Sequence, residues 1–185
     1  MVSSIVSTAF ASQAEVQGSS HESGGNGGKV DETAGQASSS GVITLIMVIY
    51  IFRGHPYDTW DKRHVLAYFT SPDLPDFHET VHTQYKEEER RWVLDRMHRE
   101  VKWYESRTYL NHVHAGAVKV ARGQEMVPVD ILAATPVGER PSDWNCQTFL
   151  YEGMQELVNR GFQTQEWYDS VTDEMLDKLL DGTLG

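Results

Sequence analysis

The chain of 185 residues has one cysteine, Cys146, so it can form no internal disulfide and is not a cross-linked secreted scaffold. Basic residues are also scarce. Sixteen Lys and Arg stand against 27 Asp and Glu, for a formal charge of −11, and no Lys/Arg-rich block occurs anywhere. That balance argues against a nucleic-acid backbone or an anionic membrane surface as partner. Long apolar runs are missing too. The most apolar stretch, 41–52 (GVITLIMVIYIF), falls well short of the ~20 residues that a helix needs to cross a bilayer. Residues 1–12 are mildly apolar but carry no Lys or Arg, and so lack the basic segment of a secretory leader. Together these absences favour an intracellular, cytoplasmic chain without a membrane span.

Residues 1–40 are rich in Ser, Gly, Ala and Gln and include the run Gly24-Gly25-Asn26-Gly27-Gly28. They offer too little apolar surface to offset chain entropy, and are expected to form a disordered tail. A single domain is expected over 41–185. The Val, Ile and Tyr content of 41–52 suits a strand buried on both faces. Further strands are expected at 63–70 (RHVLAYFT), 77–85, 91–94, 100–104 and 113–120, with a loop marked by Pro72 and Pro75. A short helix follows Pro128 and stops before Pro136. The strongest helical pattern is 144–160, where Cys146, Leu150, Met154, Leu157 and Val158 share a face and Gly161 caps the end. A last helix is expected over 170–180, with Ser170 and Asp173 in capping-box spacing. The fold class is therefore α+β, a mostly antiparallel sheet packed against a few helices.

Cys146 sits in Ser142-Asp143-Trp144-Asn145-Cys146-Gln147-Thr148-Phe149, at the expected first turn of the strongest helix. Unsatisfied N–H groups and the positive dipole end there lower a thiol pKa toward neutrality, which favours the nucleophilic thiolate. Thiol catalysis also needs a base and a group that orients it. Of the eight histidines, His64 opens the RHVLAYF strand on the face of Leu66 and Tyr68, and His82 lies in the next strand.

The strand His64-Val65-Leu66-Ala67-Tyr68, a second strand bearing a polar residue, and Asn145-Cys146-Gln147-Thr148-Phe149 opening a helix together resemble the NlpC/P60 papain-like superfamily. The order of His before Cys is similar to its permuted branch, which includes lecithin:retinol acyltransferase-like proteins. The C-terminal half also resembles small uncharacterised fungal proteins with an NCQ-type helix. The matching positions cover roughly residues 63–160. The resemblance implies a papain-like fold with Cys146 as nucleophile, His64 as base and His82 as the third polar residue. It further implies a small-molecule or peptide acyl substrate (an amide, ester or thioester that is hydrolysed or whose acyl group is transferred) and no cofactor.

Two other readings stand beside it. A free cysteine on the apolar face of a helix is commonly only packed, and the fold would then be a catalytically silent module that binds a small molecule or a protein. Alternatively, His78-Glu79-Thr80-Val81-His82 matches the H-E-x-x-H zinc signature, with His78 and His82 as ligands and Glu79 as base. That zinc hydrolase requires a helix, whereas β-branched Thr80, Val81 and Thr83 favour a strand. No third ligand follows at the usual spacing, although His98 or Glu100 could supply one. His112 and His114, alternate residues on an expected strand, are a second pair able to face one way.

Overall fold

The computed structural model describes residues 41–182, so the expected tail at 1–40 lies outside the described residues. Five strands form one antiparallel sheet in the order β4-β3-β2-β1-β5: β1 Val42–Phe52, β2 His64–Thr70, β3 His78–Lys86, β4 Arg91–Met97 and β5 Tyr109–Ala121. Three helices follow, α1 Met126–Ala133, α2 Cys146–Asn159 and α3 Gln165–Leu180. The α+β class read from the sequence is the one observed.

Strand alternation sorts the sheet into two faces. Met47, Ile49 and Ile51 of β1, Val65, Ala67 and Phe69 of β2, and Val81 of β3 pack against Val129 and Leu132 of α1. The same core takes in Phe149, Leu150 and Met154 of α2, and Val171, Met175 and Leu179 of α3. Among the described residues, the other face carries no α-helix. Its centre is a smaller cluster of Phe52, Leu66 and Tyr68 with Tyr50, Trp103 and Tyr109 packed on it.

Several element boundaries differ from expectation, each for a local reason. Residues 100–104 are not a strand; they belong to the long β4–β5 connection, with a single 3-10 turn at Trp103–Glu105. Strand β5 begins at Tyr109 and absorbs one extra residue opposite Met47 and Val48, where Gly116 takes φ +89° in a bulge. Helix α2 starts at Cys146 because Asn145 is its cap, its side chain accepting from the N–H groups of Gln147 and Thr148 at 2.9 and 3.1 Å. Helix α3 starts at Gln165, not at 170. Thr164 caps it by accepting from the Trp167 N–H, and two neighbouring side chains reach the edge strand, with Gln163 Nε2 donating to the Ala117 carbonyl and Trp167 Nε1 to the Ala115 carbonyl.

Arg63, the residue before β2, is 1% exposed and ties four parts of the chain together. Its guanidinium donates through Nε and Nη2 to Asp58 at 3.0 and 3.1 Å, and through Nη1 to the carbonyls of Leu179 and Asp181, both at 2.7 Å. The last turn of α3, whose carbonyls have no partner within the helix, is thereby capped by a charge of the sign its dipole favours. The Arg63 carbonyl in turn accepts from Gln147 Nε2 at 3.0 Å, and the same amide nitrogen reaches the Trp60 carbonyl at 2.7 Å. The start of α2 is thus fixed to the start of β2.

Two substitutions test this packing. Arg63→Met removes the donor to the α3 carbonyls and leaves Asp58 with only Arg53 and the Gly54 N–H, and should cost about 2–3 kcal/mol in chemical denaturation. A loss under 1 kcal/mol would mean that the guanidinium is not the tie described. Gly153 of α2 lies so close to α1 that an added Cβ would meet Leu132 Cδ1 at 2.5 Å and Thr135 Oγ1 at 2.9 Å. Gly153→Ala should destabilise by about 1–3 kcal/mol despite its better helix propensity, and a stabilised variant would refute the close approach.

Candidate functional site

The candidate site forms where two strands part. Strand β2 pairs with β1 as far as Phe52↔His64, but with β3 only from Thr70↔His78 to Ala67↔Val81. Residues 64–66 of β2 therefore have no β3 partner on their outer edge. The capped N-terminus of α2 occupies that edge. The Cys146 thiol donates to the Arg63 carbonyl at 3.8 Å, and the Val65 N–H is directed at the same sulfur. Cys146 is thus held against the backbone on either side of His64.

His64 points to the face without helices. Its Nε2 lies 3.1 Å from Nδ1 of His82, so the two imidazoles bridge the parting strands. Asp95 of β4 is the register partner of His82 and stands 3.5 Å from its Nε2, long for a hydrogen bond but close for a carboxylate and an N–H. Asp95 also accepts from Gln84 Nε2 at 3.1 Å. A carboxylate facing Nε2 of His82 favours the proton on that nitrogen, which leaves Nδ1 to accept from His64 Nε2–H. Nδ1 of His64 then carries the free lone pair.

Burial dominates the titration of His64, His82 and Cys146. Desolvation pushes the His64 pKa down to about 3, with the neighbouring His82 adding to the effect. Desolvation also lowers His82, opposed by Asp95. The Cys146 thiol is pushed up to about 11 by burial, against which the Val65, Cys146 and Gln147 N–H groups act to lower it. The lowering by helix-start N–H groups expected from the sequence is therefore present at Cys146 but outweighed. The resting site is a neutral thiol beside neutral imidazoles.

Of the residues singled out in the sequence, His64 and His82 are brought together directly. Cys146 shares their position along β2 but packs in the cluster of Val65 and Ala67, and its proton is given to a carbonyl and not to an imidazole. His78, Glu79 and His82, the alternative zinc set, are not brought together. HETVH is strand β3, in which residues four apart are separated by about 13 Å. Glu79 projects to the opposite face, where it contacts His98 at 2.7 Å, while His78 Nδ1 pairs with the Tyr68 hydroxyl at 2.7 Å. Among the described residues, no group of three or more His, Cys, Asp or Glu is arranged to hold a metal ion.

Beside the imidazoles lies an aromatic wall. Phe52 packs edge-on to Trp103 at 5.9 Å, Trp103 Nε1 donates to Thr80 Oγ1 at 3.3 Å, and Tyr50 meets Tyr68 and Tyr109, each at 6.2 Å. Asp95 was not recognised in the sequence. Asp95 was within reach: with Glu87–Arg90 as a tight turn, Lys86 pairs with Arg91 and His82 falls opposite Asp95.

His64 stays neutral in the folded protein, while the unfolded chain takes up its proton below about pH 6.5. Its presence therefore leaves stability unchanged above that pH and lowers it progressively as pH falls toward about 3. Thermal melts from pH 7 to 4 should fall less steeply for His64→Gln than for wild type, and parallel curves would show that the imidazole is not buried neutral. Comparison of the chain with protein-family models, curated proteins and solved structures finds no match to any of them.

Proposed function

We propose that the protein is a cysteine-dependent hydrolase or acyltransferase of papain-like, NlpC/P60-like character, acting on an amide, ester or thioester. One observation carries this reading. The capped start of α2 places Cys146 on the backbone flanking His64, at the same parting of strands that the His64–His82 pair bridges. Cys146, which the resemblance names as nucleophile, thus backs onto the strand that carries His64, named as base and paired with His82, named as the third polar residue.

In the proposed reaction, Nδ1 of His64 takes the thiol proton as sulfur attacks the acyl carbon. The C–X bond of the substrate breaks, the proton passes to the leaving group X, and an acyl-thioester on Cys146 remains. Water or an acceptor alcohol or amine then attacks the thioester, which returns the thiol. The imidazolium that forms between these steps is stabilised through His82 by Asp95, the arrangement that a base needs from its orienting partner. Because burial holds the resting thiol near 11, substrate or a shift at the rim of β2 must turn sulfur from the Arg63 carbonyl toward the imidazole. The aromatic wall of Phe52, Tyr50 and Trp103 offers an apolar surface for the acyl part.

A second reading has its own support. The same wall and its neutral imidazoles suit a site that binds a small molecule without reacting, and the raised thiol pKa is what a packing cysteine has.

Incubation of the full chain with an aryl ester or aryl thioester, followed by intact and peptide mass spectrometry, separates the two. The enzyme reading expects an acyl adduct on Cys146, none in Cys146→Ala, and acylation at least about 100-fold slower in folded His64→Ala. An unmodified Cys146, or a rate indifferent to His64, would leave the binding module.

A further inference from the structure

A second histidine pair stands apart from this site, on the edge strand. We propose that His112 and His114 of β5 form a chelating site for a divalent transition-metal ion with affinity for imidazole nitrogen, of the Cu2+ or Ni2+ class.

The argument begins with the strand. Residues two apart project to the same face, and the register sets His112 opposite Tyr50 and His114 opposite Val48, just before the bulge at Gly116. The two Nε2 atoms converge to 3.0 Å, with the rings perpendicular at 4.7 Å between centroids. Two neutral imidazoles can meet this way only if one gives its proton to the other, or if both lone pairs face a shared cation. His112 is additionally oriented by its other nitrogen, since Nδ1 lies 2.7 Å from the Tyr109 hydroxyl. When Nδ1–H donates to that oxygen, Nε2 is left as a bare lone pair. A metal-ligating histidine is commonly oriented by donating its other N–H, usually to a carboxylate, a carbonyl or water; here the acceptor would be a hydroxyl.

The spacing selects among ions. Two nitrogens 3.0 Å apart, each about 2.05 Å from a metal, subtend about 94° at it. That is close to the cis angle of square-planar and tetragonal sites and well below the tetrahedral angle of zinc, which favours Cu2+ and Ni2+. Water would complete the coordination, since no third His, Cys, Asp or Glu suited to a metal joins the pair among the described residues. His114 is exposed, so an ion reaches the pair without rearrangement of the core. The charged groups facing His112 are Lys178 and Glu174 of α3, which pair with each other at 3.5 Å and largely cancel.

Titration of the full-length chain with Cu2+, followed by calorimetry and electron paramagnetic resonance, tests the site. The expected result is one tight site whose spectrum reports two equatorial imidazole nitrogens. Its affinity should drop at least about tenfold in His112→Ala and in His114→Ala, and at least severalfold in Tyr109→Phe. Both histidine variants should keep the wild-type circular dichroism. A two-nitrogen signal or an unchanged affinity in the double variant His112→Ala/His114→Ala would overturn the proposal and assign the ion to other histidines.

Discussion

Burial of the Arg63 guanidinium is the constraint on which the arrangement of the other elements depends. A charge taken out of water needs partners on every side. The partners available are the Asp58 carboxylate from the β1–β2 connection and the carbonyls that α3 leaves open at its last turn. Asp58 answers in kind, its pKa lowered to about 2, chiefly by the side-chain hydrogen bond from Arg63. With its side chain engaged at α3 and its carbonyl at Gln147, one residue fixes the start of β2, the start of α2 and the end of α3 relative to one another. The candidate site lies on the next residue, so its geometry inherits the rigidity of this knot.

Much of the architecture was legible because the governing signals are local. The apolar run at 42–52 and the alternation at 64–70 each encode a strand through their own residues, and the stripe through Leu150, Met154 and Leu157 encodes the buried side of α2. The errors fall where distant partners decide. The stretch Gln163-Thr164-Gln165-Glu166-Trp167 has no apolar period that announces a helix start. It begins one because Thr164 caps it and because Gln163 and Trp167 find carbonyls on β5, some 50 residues earlier. Residues 100–104 alternate like a strand, yet Trp103 is drawn onto Phe52 and Thr80, and the segment crosses the sheet face instead of joining its edge.

The candidate site divides in the same way. The spacing of His64 and His82 along two strands contained their meeting, and the length of the β3–β4 turn contained the position of Asp95. The state of the thiol was not contained there. A helix N-terminus lowers a cysteine pKa and burial raises it, and only the packing around Arg63 and Val65 decides which effect prevails. Identical local residues would serve a reactive thiol in one setting and an inert one in another.

The hydrogen bonds from Gln163 and Trp167 to the carbonyls of Ala115 and Ala117 also bear on how the molecule meets its own copies. β5 ends the sheet, and an open strand edge is a template for another chain. Here two acceptors in the middle of that edge are already engaged by side chains from the start of α3, and the bulge at Gly116 breaks the ladder between them. A strand arriving from a second molecule would find no continuous row of acceptors to pair with. Protection against sheet-to-sheet aggregation on this side therefore comes from a helix cap, and loosening the first turn of α3 would expose a sticky edge before it unfolded the core.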